Sequence, residues 1–324
     1  MVYGSGSDGF PSSIACFLFM IPSFAHPLIS PILHISAWII GVGAVFATVM
    51  GVLRLTDKAT YREDWIRLGI LIGQGLVILI VGAFGRWALL PAVVVIAFVG
   101  WFEMMRGVGH RDGSTFWLYP VLGALGVVGG VWGTSFAALT SVGVAAWMAI
   151  VLPMVISRRP VPLSDMLGAA FGTVLISIPL THLLLLVQLD YGAFALLIIV
   201  VNCHDGFAVG FGRLLGRTPL CEHISPKKTW EGAGGGLAIC LAIAYAARFL
   251  VPEWALWQVL SGAGSIVLFS LLGDLVASSL KREVGIKDFG SSFPGGMGGF
   301  LDRYDGLLFS VPVFYIFVRL MVVG

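Results

Sequence analysis

Charge is what this chain has least of. Its 324 residues include 19 Lys and Arg and 17 Asp and Glu, so only 11% are charged. Soluble globular chains carry about a quarter, which excludes a large water-facing domain. Cysteine is also scarce. Cys16, Cys203, Cys221 and Cys240 show no Cys-x-x-Cys spacing, and all but Cys221 lie in or beside apolar segments. Neither a disulfide framework nor a zinc site is indicated. No Lys or Arg precedes Arg54, so the apolar N-terminal run lacks the basic start of a signal peptide, and a cleaved one is not expected. Low-complexity linkers and clear internal repeats are missing too. A formal net charge of +2 gives no reason to expect a nucleic-acid partner.

Apolar residues are what the chain has in quantity. They make up 58% of it, the mean hydropathy is +0.98, and 43 glycines accompany them. A domain of this size cannot hide so much apolar surface from water, and close-packed membrane helices favour glycine. The fold class expected is therefore all-α, a polytopic integral membrane protein of about nine to ten transmembrane helices. A span needs ~20 mostly apolar residues. Such runs occur near 34–53, 68–85, 87–105, 117–132, 134–156, 166–188, 191–212, 233–251, 254–280 and 304–323. The Gly-rich stretch VVGGVWGTS at 127–135 reads as a turn or a kink. Residues 12–33 are apolar but broken by Pro22, Pro27 and Pro31, which suits a re-entrant or interfacial segment or one more span.

Basic residues sort to one side of this arrangement. If the spans alternate, the loops at 54–67, 106–116, 157–165, 213–232 and 281–303 share a face. They hold every Lys and Arg except Arg86, Arg248 and Arg319. The positive-inside rule makes that face cytoplasmic, and the expected location is the cell membrane. The chain divides at 165, with N-terminal transmembrane helices over 1–165 and a catalytic transmembrane region with its site loops over 166–324.

Three segments of the second part concentrate the polar chemistry. In 202–236, Asn202, His204 and Asp205 sit inside or at the end of an apolar helix, where polar groups are expensive and usually face a cavity. His204 reads as a packed or cavity-lining residue, with a ligand or proton-transfer role as the alternative. Further on, Ser225-Pro226-Lys227-Lys228-Thr229 presents two adjacent cations on a stiff proline turn, which suits a triphosphate. In 271–288, Asp274 precedes Lys281 by seven residues, about two helical turns, so both lie on one face with Asp274 deeper. In 294–305, glycines allow sharp turns and bare amides. Asp302 and Asp305 follow at i, i+3, which puts two carboxylates on one face of a helix start, as a shared metal requires. Capping alone explains one aspartate there, but not the pair with Arg303 between. Cations interleaved with carboxylates and glycines suit a phosphate-and-metal site.

These blocks resemble the signature of the phosphatidate cytidylyltransferases, also called CDP-diacylglycerol synthases. Ser278, Leu280, Lys281, Arg282, Lys287, Asp288, Gly290, Phe293, Pro294, Gly298, Gly299, Phe300, Asp302, Arg303, Tyr304 and Asp305 match it in order. The upstream GRTPL and SPKKTWEG blocks, with Asp205 before them, and the Gly273-Asp274 pair are similar as well. The likeness covers roughly residues 195–320. Two departures stand out. Pro294-Gly295-Gly296-Met297-Gly298-Gly299 is one residue longer than the family's Pro-Gly-His-Gly-Gly, with Met297 nearest the His position. Ala277 stands where many bacterial members carry Glu.

The resemblance implies that CTP and phosphatidate, a lipid in the bilayer, give CDP-diacylglycerol and pyrophosphate. It implies catalytic roles for Asp274, Lys281, Arg282, Asp302, Arg303 and Asp305, and substrate binding by Asp205, Ser225, Lys227, Lys228, Lys287 and Asp288. Mg²⁺ is expected on Asp274, Asp302 and Asp305, with room for a second cation, and a homodimer is compatible with this reading. Alternatives are a CTP-dependent lipid kinase or CDP-lipid synthase with another acceptor, and a catalytically inactive lipid-binding paralogue. Mid-helix charges alone would also suit a transporter, which needs no SPKK loop.

Overall fold

The structure is a computed structural model that describes residues 26–52, 58–107, 115–129, 135–157, 160–290 and 298–323. The readings made above for Cys16, Pro22, Arg54, Arg111, Arg158, Arg159 and Phe293 to Met297 fall outside these residues, as does most of the Gly-rich 127–135 stretch.

Among the described residues, helices lie at the apolar runs: α1 Ile29–Val52, α2 Lys58–Gly82, α3 Arg86–Gly107, α4 Leu118–Val128, α5 Ser135–Ser157, α6 Leu163–Leu189, α7 Tyr191–Leu215, α8 Trp230–Ala246, α9 Leu256–Glu283 and α10 Leu301–Val318. Among the described residues, seven (α3 and α5 to α10) are long and apolar enough to cross a membrane by length and composition. The protein is an all-α, multi-pass membrane protein. Of the expected span at 117–132, the structure describes the 11-residue α4 and Gly129, and residues 130–132 lie outside the described residues. At 1.5 Å per residue those 11 residues reach about half of a ~30 Å hydrocarbon layer. Pro91, Pro153 and Pro312 lie inside helices, which membrane helices tolerate because neighbours satisfy the freed carbonyls. A π-turn at Thr173–Ser177 interrupts α6.

The core centres on α7. Asp190 starts it, its Oδ1 accepting hydrogen bonds from the amides of Gly192 and Ala193. From Tyr191 to Val201 every side chain is buried, because α7 touches α1, α2, α6, α8, α9 and α10. A helix that is apolar on all sides belongs in such a place.

Small residues then set how closely the C-terminal helices approach. A Cβ on Gly232 of α8 would lie 2.7 Å from the Ala208 carbonyl oxygen and 3.0 Å from Gly212 Cα, both on α7. Backbone atoms cannot step aside, so only glycine allows this crossing. Gly232→Ala is expected to destabilise the bundle by about 1–3 kcal/mol, read as a lower thermal midpoint in detergent. Gly234→Ala is the control, since its Cβ meets nothing within 4 Å; equal midpoints for the two would refute the close-packing account. On α9 and α10 the same device operates at Gly273, against Phe309, and at Gly306, against Ser270. Asp274 and Asp305 are the immediate neighbours of these two glycines, so the helix crossing brings both carboxylates into one region.

Candidate active site

Four elements supply the polar centre, and each is fixed by local chemistry. The first is the link from α7 to α8. It was read as a proline turn, but it folds as an antiparallel hairpin of β1 (Pro219–Cys221) and β2 (Ser225–Thr229), with Pro219 opposite Thr229 and Cys221 opposite Ser225. Its base is pinned three ways. Trp230 N donates to the Thr218 carbonyl at 3.0 Å. Glu231 Oε2 accepts from the amides of Arg217 and Thr218 at 3.1 and 3.2 Å. Thr229 Oγ1 accepts from Gly232 N at 3.1 Å and caps α8. Successive side chains on a strand point to opposite faces. Lys227 is accordingly exposed, while Lys228 turns inward and makes an ion pair with Asp274 Oδ2 of α9.

In the first turn of α10 stands Asp302, whose carboxylate is engaged on both oxygens. Lys281 Nζ donates to Oδ1 at 2.7 Å, and the amides of Phe289 and Gly299 donate to Oδ2 at 2.9 and 2.8 Å. Gly298 makes the turn at φ +78°, and a Cβ there would lie 2.7 Å from Asp302 Oδ2. The glycines thus do supply a bare amide, and they aim it at a carboxylate. Both Lys281 and Asp302 are nearly inaccessible, with side-chain exposures of 10% and 6%.

Asp305 differs from its i, i+3 neighbour. It accepts a hydrogen bond from the adjacent Gly306 amide and lies in the electrostatic field of Asp274, Lys281 and Asp205. Asp205 of α7 in turn interacts with Asp274, Lys228 and Arg303. Three half-buried carboxylates from three helices therefore share one region with three cations. His204 is buried beside them, with Nδ1 3.9 Å from Asp205 Oδ1 and no hydrogen bond to either ring nitrogen. Ser278 Oγ lies 3.5 Å from Asp274 Oδ1.

The structure thus brings together Asp205, Lys228, Asp274, Lys281, Asp302, Arg303 and Asp305. Lys227, Arg282, Lys287 and Asp288 are exposed around them and Ser225 is half-buried in β2. Among the described residues no group of three or more His, Cys, Asp or Glu side chains is arranged to hold a metal ion by itself. One carboxylate escaped the sequence reading. Glu103 of α3 is buried, with Oε1 accepting from Phe300 N and Oε2 from Leu301 N, each at 2.9 Å. The signal available was a lone acid inside an apolar helix, which is expensive without a partner.

The cytidylyltransferase family profile matches residues 65–321. The chain is 35% identical over 140 residues to a phosphatidate cytidylyltransferase of Thermotoga maritima, covering 41% of this chain and 52% of that one. To a protein of the same name from Mycobacterium tuberculosis it is 38% identical over 164 residues, 49% of each chain. To phosphatidate cytidylyltransferase 5, chloroplastic, of Arabidopsis thaliana it is 45% identical over 121 residues, 36% of this chain and 29% of that one. The chain spans about half the length of the two bacterial relatives.

Proposed function

The chain belongs to the cytidylyltransferase family, and from that premise we propose that it transfers a cytidylyl group from CTP to phosphatidate, giving CDP-diacylglycerol and pyrophosphate. The observation that carries this reading is the meeting of Asp205, Asp274 and Asp305 with Lys228, Lys281 and Arg303 among membrane helices. The names of the relatives supply the substrates.

Both reactants are anions, so repulsion is the first barrier. A phosphatidate oxygen attacks the α-phosphorus of CTP, and the bond from that phosphorus to the bridging oxygen breaks, with both electrons leaving on pyrophosphate. The nucleophilic phosphate oxygen is already ionised, and pyrophosphate leaves as a stable anion, so no covalent intermediate and no strong base is required. Lys228 and Arg303 hold phosphate oxygens in line, and the exposed Lys227, Arg282 and Lys287 draw the nucleotide in from water. Fixed cations aimed at the charge that builds on the leaving pyrophosphate lower the barrier most.

Mg²⁺ fits this donor set in one form. Asp302 is already engaged on both oxygens by three protein donors, whereas Asp274 and Asp305 keep more capacity and repel one another. Mg²⁺ is usually bound by one or two carboxylates plus substrate phosphates, so a three-ligand protein cage is unnecessary. Asp274 and Asp305 would hold the ion, and it would supply further neutralisation of the triphosphate. The loop-bearing face is read as cytoplasmic, where CTP is available, and the membrane as the cell membrane.

The test is purified protein in nanodiscs with labelled CTP and phosphatidate, with and without Mg²⁺. A lipid-extractable cytidine product is expected; label transfer only to another lipid, or none, overturns the reading. The hairpin adds a finer expectation. Lys228→Ala raises KM for CTP by about tenfold, the usual loss for one charge-assisted contact. Lys227→Ala, on the outer face of β2, changes KM by less than about threefold. Equal effects would mean that the strand does not sort the two cations.

A further inference from the structure

We propose that Glu103 is a positioning residue for this reaction, fixing the start of α10 from a helix in the other half of the chain. The proposal rests on the activity proposed above but adds a residue that no sequence block contains. Its carboxylate is 4% exposed, in a helix whose neighbours are Phe102 and Met104. A buried charge there needs compensation. Two amides supply it, Phe300 N on one oxygen and Leu301 N on the other, at the positive end of the α10 dipole. The surroundings are shaped to this carboxylate. A Cβ on Gly290 would lie 2.6 Å from Glu103 Oε1, and one on Gly299 would overlap the carboxylate outright.

Asp302 holds the same stretch from the other side, through Phe289 N and Gly299 N. Two carboxylates on different helices therefore grip four backbone amides between Phe289 and Leu301. Arg303 follows Leu301 by two residues and Asp305 by four, about one turn. Any shift of the α10 start moves both groups relative to Asp205 and Asp274. Through these two amides Glu103 acts on the chemistry by fixing where α10 begins.

The experiment uses Glu103→Gln in the full chain in nanodiscs, with turnover and backbone hydrogen exchange measured on one preparation. Gln keeps the volume and one acceptor but turns an NH₂ towards the second amide. We expect kcat to fall about 10- to 100-fold, the range a misplacement near 1 Å produces, with KM for CTP within about threefold because the outer cations are untouched. Exchange at 298–305 is expected to rise at least ~10-fold as that segment opens locally, while peptides from α6 and α7 stay unchanged. Gly299→Ala, which pushes a methyl into the carboxylate, should reproduce both effects. Exchange rising equally throughout the bundle would make Glu103 a general packing residue and overturn the proposal, as would unchanged exchange at 298–305 or a kcat within twofold of wild type. The exchange readout does not depend on substrate. If wild type makes no CDP-lipid yet the local exchange change appears, the activity has failed and the positioning of α10 stands.

Discussion

Asp305→Asn lowers turnover by at least ~100-fold, the scale of a lost metal or charge-stabilising contact in a phosphoryl-type transition state, without loss of folded protein. Its carboxylate accepts a hydrogen bond from the neighbouring Gly306 amide, and it lies in the field of Asp274 and Asp205. Removing one of three mutually repelling carboxylates does not strain the fold. The dependence on Mg²⁺ should move to higher concentration, because one of the two oxygen donors with spare capacity has gone. Asp302→Asn takes the opposite form. It breaks a pair with Lys281 that is nearly inaccessible on both sides, and leaving one charge of such a pair uncompensated costs about 3–5 kcal/mol. The thermal midpoint falls, turnover falls with it, and added Mg²⁺ restores nothing. If Asp302→Asn instead stayed stable and shifted only the Mg²⁺ titration, the roles assigned to the two aspartates would be interchanged.

That contrast marks the limit of what the sequence discloses. The i, i+3 spacing puts Asp302 and Asp305 on one face of a helix start, and nothing local separates their roles. What separates them is the return of Phe289 and Gly299 onto Asp302, a loop closure with no periodic signature. Helix positions were legible because apolar runs of ~20 residues are bounded by the few charges the chain has. For α4 the described residues end at Gly129, short of the run read to 132. The hairpin at 219–229 was misread as a proline turn. Pro226 and two lysines carry little strand propensity, and the hairpin is held by Glu231 and Thr229 rather than by apolar alternation. Glu103 announces itself as an isolated acid, but its partner amide lies 197 residues away. No spacing rule reaches that far, so the boundary read at 165 separates residues that hold one another.

Lys281→Met is expected to be nearly as damaging to turnover as Asp305→Asn, for two reasons that one further variant separates. Lys281 Nζ neutralises Asp302 at 2.7 Å and also lies in the field of Asp305 and Asp274. Nζ also lies 5.6 Å from the Phe289 ring centroid, and Met is unbranched and of similar length, so packing is largely preserved. The lost charge then acts in both places. Asp302 stays buried with only its two backbone amides, which lowers stability by about 3–5 kcal/mol. The carboxylate cluster gains net negative charge where two anionic substrates must meet, which lowers turnover by at least ~100-fold. Adding Asp302→Asn to Lys281→Met removes the orphaned carboxylate. Because the two residues are in contact, their effects do not add, and the double variant should regain much of the thermal midpoint lost by the single one. Its turnover should not recover, since the cation beside Asp305 is still missing. A double variant that regained wild-type turnover together with stability would show that Lys281 serves the fold alone. A Lys281→Met protein of normal stability and turnover would remove Lys281 from the site altogether.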